Sequence, residues 1–325
     1  MSSIFAFGYH DQNAPRHWNI CKQLRGAGHD IIECHTTKKG FFGKSIDLWK
    51  RYGEIQNKTL KIHSILVTFP GHYLMPLAWC LTRFPRKKLI FDAFISLYDT
   101  NVCDRKRFAT WSLFAWFLFF VDVVSCHLAD EVLVDTKEHK KYFVKMFRLK
   151  PEKVRVIYLG TREDLFYKKR VEGSGYPLNA HHVLFYGTYI PLQGIEYILD
   201  AANILQHSHP QIHFTLIGRG QTYPEMRALA EKLKLQNITF KDPVPYEELP
   251  DLIRGSHLCL GVFGTTAKAS RVIPHKVYDA VACAVPIVTA DTPAIREKFA
   301  DHKGVILCEA GSGDMLARRI TDYFS

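Results

Sequence analysis

The chain has 325 residues, 47% of them hydrophobic, and a formal net charge of +11. That length suits two domains, each with its own core, and the composition excludes fibrous and disordered classes. Its eight cysteines are scattered without a C-x-x-C pair or a metal-ligand spacing, so reduced thiols in a cytosol are expected and neither a disulfide framework nor a structural zinc is.

The first residues, MSSIFAFGYHDQ, lack a charged n-region and read as a strand, so no signal peptide is expected. Apolar runs at Ser3 to Gly8, Asp30 to Cys34, Ser64 to Phe69, Lys88 to Ala93, Glu131 to Asp135 and Val154 to Leu159 predict strands with helical stretches between them. That alternation is the signature of a parallel sheet. Phe108 to Val121 is almost wholly apolar, but Asp122 ends the run short of the ~20 residues of a spanning helix. Burial in the domain core is the first expectation for it. With Arg105-Lys106-Arg107 just ahead, a monotopic anchor is the second.

Residues 166–182 include Gly173-Ser174-Gly175 and Tyr176-Pro177 and read as a linker between domains at 1–165 and 183–325. Beyond it the alternation resumes at intervals of about 25 residues, as βα units require. Its strands are expected at Val183 to Tyr186, His213 to Ile217, Ile238 to Phe240, Leu258 to Val262, Pro286 to Ala290 and Gly304 to Leu307. Two Rossmann-like domains in tandem are the simplest architecture.

Charge is unequal between the halves. Residues 1–164 carry 26 Lys and Arg against 16 Asp and Glu, so almost all of the basic excess is N-terminal. Such a half suits an anionic acceptor or membrane surface; nucleic acid is not expected, because no recognition motif accompanies the charge.

In open α/β sheets ligands bind at the carboxyl ends of the strands. In the second domain those loops are Gly187 to Gly194, Gly218 to Gln221 with Arg219, Lys241 to Tyr246 with Val244, Phe263 to Lys276, and Asp291 to Pro293. The stretch Phe263 to Val288 has two readings. One is an anion loop in which Lys268, Arg271 and Lys276 surround a helix start at Pro274, with Asp279 one turn on. The other is an ordinary amphipathic helix with a solvated basic end; the other strand-end loops favour the first. In the first domain the same rule gathers His10, Arg16, His35, His72, Asp92, Asp99, Asp135 and His139. Asp92 and Asp99 rank first there as catalytic candidates, and His10 and Arg16 next, because they sit in the first βα loop, on a surface that would hold a second substrate.

Several chemistries lack their motifs. There is no Asp-x-Asp for a metal clamp on a diphosphate, no G-x-x-x-x-G-K-[ST], no G-x-G-x-x-G after the first strand and no G-x-S-x-G. A phosphate-bearing ligand held by backbone, Lys and Arg, without metal or cofactor, is what remains.

At this point the residues resemble a known family. VLFYGTYIPLQGIEYILDAANIL (183 to 205), HFTLIGRGQ (213 to 221), ITFKDPVPYEELPDLI (238 to 253) and IPHKVYDAVACAVPIVTAD (273 to 291) are similar, in order and spacing, to the donor domain of retaining glycosyltransferases of family 4. LADEVLVDT (128 to 136) and KVRVIYLGTREDLF (153 to 166) extend the likeness more loosely into the first half. The resemblance implies the GT-B fold, two facing Rossmann-like domains with parallel sheets. It also implies metal-independent transfer of a sugar, with retained configuration, from a nucleotide-diphosphate sugar to an acceptor hydroxyl.

In that family the second Glu of an E-x7-E motif holds the ribose, and Asp279 stands there; the first falls on Arg271. The Arg and Lys that clamp the diphosphate fall on Thr188 and Gln193. Lys268, Arg271 and Lys276 are therefore expected to supply that charge, and Arg219 with Val244 to lie near the base. The family usually carries further helices after the one expected at Gly313 to Phe324. The expectation is a cytoplasmic enzyme of glycan or polysaccharide biosynthesis, peripheral at the inner membrane face, with a lipid-linked or membrane-proximal acceptor. The alternative is a catalytically silent nucleotide-sugar-binding subunit of a glycosyltransferase complex.

Overall fold

The computed structural model describes residues 2–56, 62–169 and 181–325. Most of the expected linker, residues 170–180, lies outside the described residues. The chain divides into two compact units, 1–159 and 160–325.

The first unit runs β1 (Ser2–Gly8), α1 (Pro15–Gly26), β2 (His29–His35), α2 (Phe41–Gln56), β3 (Ile62–Val67), α3 (Met75–Leu81), β4 (Lys88–Phe94), α4 (Leu113–Leu128), β5 (Glu131–Val134), α5 (Lys137–Met146) and β6 (Val154–Val156). Its six strands are parallel in the order β2-β1-β3-β4-β5-β6. Successive residues point to opposite faces of a strand, and here both faces are buried. Phe5, Phe7, Val67, Phe91 and Val132 feed one apolar cluster, while Ile4, Leu66, Ile90 and Leu133 feed another. That is why the strands read as continuous apolar runs.

The last strand of this unit is shorter than expected. The carbonyls of Tyr158 and Leu159 accept Asn19 Nδ2 at 2.8 and 2.7 Å, and that of Ile157 accepts Arg16 Nη1, so α1 side chains take groups that a ladder would have used.

Helix α4 also departs from expectation. Ser112 caps it, its Oγ accepting from Ala115 N, so Phe108 to Trp111 precede it. The helix then continues through Asp122, whose carboxylate is buried and accepts Ser96 Oγ and the N–H groups of Leu97 and Tyr98. Ala115, Leu118, Asp122, Ser125 and Cys126 are buried, and Phe119, Val123 and Leu128 pack partly buried against the core. Leu113 is 90% exposed, Trp116 62% and Phe120 63%, which corrects the expectation that this segment is buried. Among the described residues no helix is long and apolar enough to cross a membrane.

The second unit runs β7 (His181–Tyr186), α6 (Ile195–Ser208), β8 (Ile212–Ile217), α7 (Tyr223–Lys232), β9 (Ile238–Lys241), α8 (Leu249–Arg254), β10 (Leu258–Leu260), α9 (His275–Ala282), β11 (Ile287–Ala290), α10 (Pro293–Phe299), β12 (Val305–Cys308) and α11 (Gly313–Phe324). Its parallel order is β12-β11-β10-β7-β8-β9. The chain thus winds outward one way from β7 and the other way from β10, and the loops after these two adjacent strands part to leave a crevice.

Candidate active site

The crevice of the second unit begins where β7 ends at Tyr186. Gly187 follows with φ 154° and Gly218, after β8, has φ 140°. A Cβ on Gly218 would stand 2.0 Å from the Gly187 carbonyl oxygen, so the two loops meet backbone to backbone as only glycine permits. Beside them lies a cavity of about 220 Å³ lined by Tyr186, Gly187, Thr188, Ile217, Gly218, Arg219, Pro243, Val244 and Leu249. Five of the sequence candidates, Gly187, Thr188, Gly218, Arg219 and Val244, are therefore neighbours. The Arg219 guanidinium is tied at the rim, Nε donating to Asp242 Oδ1 at 2.5 Å and the group stacking over Tyr223.

Lys276, the second residue of α9, does not line that cavity but approaches its Gly187 wall from the β10 side. Its Nζ donates to Gln193 Oε1 at 2.8 Å and to the Gly261 carbonyl at 3.4 Å, and lies 3.8 Å from the Phe185 ring centroid. It is 3.2 Å from where a side chain on Gly187 would begin. These polar partners are neutral, and burial holds the amine well below the usual lysine range, against weaker opposing pulls from Cys259 and Asp279. Helix α6, which the β7 loop enters through Gly194, has no side-chain cap at its N-terminus, where the dipole favours an anion.

Asp279 is one turn after Lys276 and 1% exposed. Tyr186 Oη donates to its Oδ2 at 3.0 Å and Thr161 Oγ1 donates to Oδ1. Burial pushes its pKa up to about 7, while the Thr161 and Tyr186 hydrogen bonds pull the other way. Lys268 and Arg271 stand on a short 3-10 turn ahead of α9, and neither lines the cavity. Pro274 is the N-cap with extended backbone, so the helix starts at His275, one residue later than expected.

In the first unit the structure pairs two candidates with each other. Arg16 Nη2 lies 2.7 Å from Asp92 Oδ1, with both side chains buried, and Asp92 stands inside β4, as the expected strand Lys88 to Ala93 already placed it. Removing one partner of such a pair leaves an uncompensated buried charge, a cost of about 3–5 kcal/mol. Asp99 is buried at the start of a π-helical turn, Asp99–Asp104, and its N–H donates to Ser96 Oγ. His10 is buried between Thr68 and Glu33. Among the other histidines of these loops, His139 bonds Asp135 and His72 lies 3.5 Å from Asp122. Tyr186 and Thr161, which complete the surroundings of Asp279, are site residues that the sequence reading did not single out. Tyr186, as the last residue of a strand beside a loop glycine, carried a signal; Thr161 carried none.

Two six-stranded parallel sheets, each in a Rossmann-like unit, with a ligand crevice at a strand-order switch, define the GT-B class. The sucrose-phosphate synthase of Thermosynechococcus elongatus superimposes with a TM-score of 0.71 over 100% of this chain and 90% of its own, at 15% identity. HepE of Anabaena, solved with UDP and glucose, does so with a TM-score of 0.68 over the same shares, also at 15% identity. The profile of the family described as glycosyl transferases group 1 matches residues 168–325, and that part of the chain belongs to the family. The chain is 27% identical over 122 residues to the chitobiosyldiphosphodolichol beta-mannosyltransferase of Yarrowia lipolytica, covering 36% of this chain and 26% of that protein. It is 25% identical over 188 residues to the D-inositol 3-phosphate glycosyltransferase of Thermobispora bispora, covering 52% of this chain and 42% of that one. The matches thus span less than half the length of these curated relatives.

Proposed function

We propose that the protein is a retaining, metal-independent glycosyltransferase that moves a sugar from a nucleotide-diphosphate sugar to an acceptor hydroxyl. The carrying observation is the Lys276 amine, held at the switch point between the β7 and β10 loops by neutral partners alone. A donor diphosphate supplies the anion that this group lacks. As the sugar–phosphate bond breaks, negative charge grows on the leaving nucleoside diphosphate, and a preorganised cation in a water-poor crevice stabilises that growth.

In this reading Gly187, Thr188, Gln193 and Gly218 frame the diphosphate, Arg219 and Val244 flank the base, and Lys268 and Arg271 add charge from the α9 side. Asp279 serves the ribose with the lone pairs that Tyr186 and Thr161 leave over. The first domain, 1–165, takes the acceptor, with His10 and Arg16 on that side and Asp92 and Asp99 near the chemistry; 183–325 takes the donor. Two observations support an anionic, lipid-linked or membrane-proximal acceptor at the inner membrane face: the basic excess of residues 1–164 and the exposed aromatic side of α4. The names of both curated relatives carry a phosphorylated compound.

Incubating the purified protein with UDP- and GDP-sugars and following nucleotide release tests the reading. Release is expected with one donor, and Lys276→Met should slow it by about 10²-fold, the usual cost of one transition-state donor. Nucleotide binding without any release would favour the silent-subunit reading, which the closed Arg16–Asp92 pair supports.

A further inference from the structure

The loop after β1, the start of α1 and the middle of β2 bring together three ligating side chains that the transfer reaction does not use as a set. His10 Nε2 lies 3.1 Å from Glu33 Oε2, and His17 Nε2 lies 2.9 Å from Glu33 Oε1. The three ligand atoms all fall within 4.8 Å of one another. From this geometry we infer that His10, His17 and Glu33 form a binding site for a divalent transition-metal ion of the zinc class in the first unit.

Both imidazoles aim the same nitrogen at one carboxylate. Donors around a tetrahedral zinc, with bonds of about 2.0–2.2 Å, stand roughly 3.3 Å apart, and each histidine–carboxylate spacing is within a few tenths of an ångström of that. The other nitrogen of His10, Nδ1, is 2.6 Å from Thr68 Oγ1, which is 3.3 Å from the Phe7 carbonyl. When that hydroxyl donates to the carbonyl, Nδ1–H donates to Thr68 and Nε2 is left as a lone pair facing Glu33. Such an outer partner fixes the tautomer and ring of a metal-bound histidine.

Burial also suits the assignment. His10 is 3% and His17 7% exposed, which shields the ion, while the Glu33 side chain, 29% exposed, leaves a way in. Two imidazoles with one carboxylate select zinc, cobalt or iron(II) over magnesium and calcium, which prefer all-oxygen shells. The ion would tie the β1 loop, α1 and β2 together.

The test uses the full chain freed of metal with a chelator and titrated with Co²⁺, then Zn²⁺. The expected result is about one Co²⁺ per chain with visible ligand-field bands, displaced by Zn²⁺. His17→Gln and Glu33→Gln should each weaken Zn²⁺ binding at least about tenfold, while His207→Gln, an exposed residue of the second unit, should not. X-ray absorption of the wild-type Zn²⁺ form, which needs no variant to fold, should show imidazole and carboxylate donors at about 2.0–2.2 Å. No binding, or binding that survives both substitutions, overturns the inference. Because metal content is read without any sugar transfer, this result stands or falls separately from the proposed activity.

Discussion

Lys276 carries a buried amine for which the described residues provide no carboxylate within ion-pair distance, and burial of that kind drives off a proton. A bound diphosphate reverses the balance by raising the pKa again. Nucleotide binding should therefore take up a proton, and affinity should fall as pH rises through the pKa of the bound state. Calorimetry of UDP binding near pH 8 in two buffers of different ionisation enthalpy measures this. An uptake approaching one proton is expected in the wild type and none in Lys276→Met; no uptake in either would show that the amine is not the group that meets the phosphates. Asp279 behaves oppositely. Its folded pKa of about 7 is above its unfolded value of 3.8, so its contribution to stability is complete below pH 3.8 and is lost as pH rises through about 7. Asp279→Asn keeps the protonated shape, so between pH 5 and pH 8 it should lose less stability in urea than the wild type does, by on the order of 2 kcal/mol. Equal losses would mean that the carboxylate is already ionised at pH 5.

At the scale of elements, α4 has two sides with different work. Ala115, Leu118, Asp122 and Ser125 hold it to the first unit, and Leu113, Trp116, Phe117 and Phe120 point away. Each aromatic side chain transferred into lipid returns about 25 cal/mol per Å² of apolar surface removed from water, and each nearby basic residue adds about 1 kcal/mol at an anionic surface. Arg105, Lys106 and Arg107 lie just ahead of the helix. Co-sedimentation with anionic vesicles is therefore expected at low salt and should be weaker at high salt; replacing Trp116 and Phe120 by Ser should reduce it about tenfold or more without loss of fold. Absence of vesicle binding at low salt would remove the membrane reading. This face was only half legible in the sequence. An unbroken apolar run has no period from which to read an outward side, and Asp122 looked like the end of the helix because its acceptors' partners, the N–H groups of Leu97 and Tyr98, lie in another segment. The strands were easier, since burial on both faces writes itself as continuous Val, Ile, Leu and Phe.

For the whole molecule, topology did most to reveal the candidate site. Once the βα alternation is read, the loops after β7, β8 and β10 must share one end of a sheet, and Gly187, Gly218 and Lys276 follow. Contacts set by tertiary packing were not readable: Thr161 and Asp279 are 118 positions apart, and Glu33 lay in a segment read only as a strand. Each unit has its own sheet and its own apolar clusters, so a ligand confined to the second unit acts first on that unit's opening equilibria. A nucleotide at 100 times its Kd adds about 2.7 kcal/mol to every opening that abolishes its site. Hydrogen exchange with and without UDP should therefore slow by up to about 100-fold in peptides covering residues 183–194, 214–221 and 258–282, where protection in the free protein reports the same openings. Peptides from β1, β3 and β4 of the first unit should exchange as before. Protection confined to the first unit would move the nucleotide site there and overturn the assignment of Lys276 to the diphosphate.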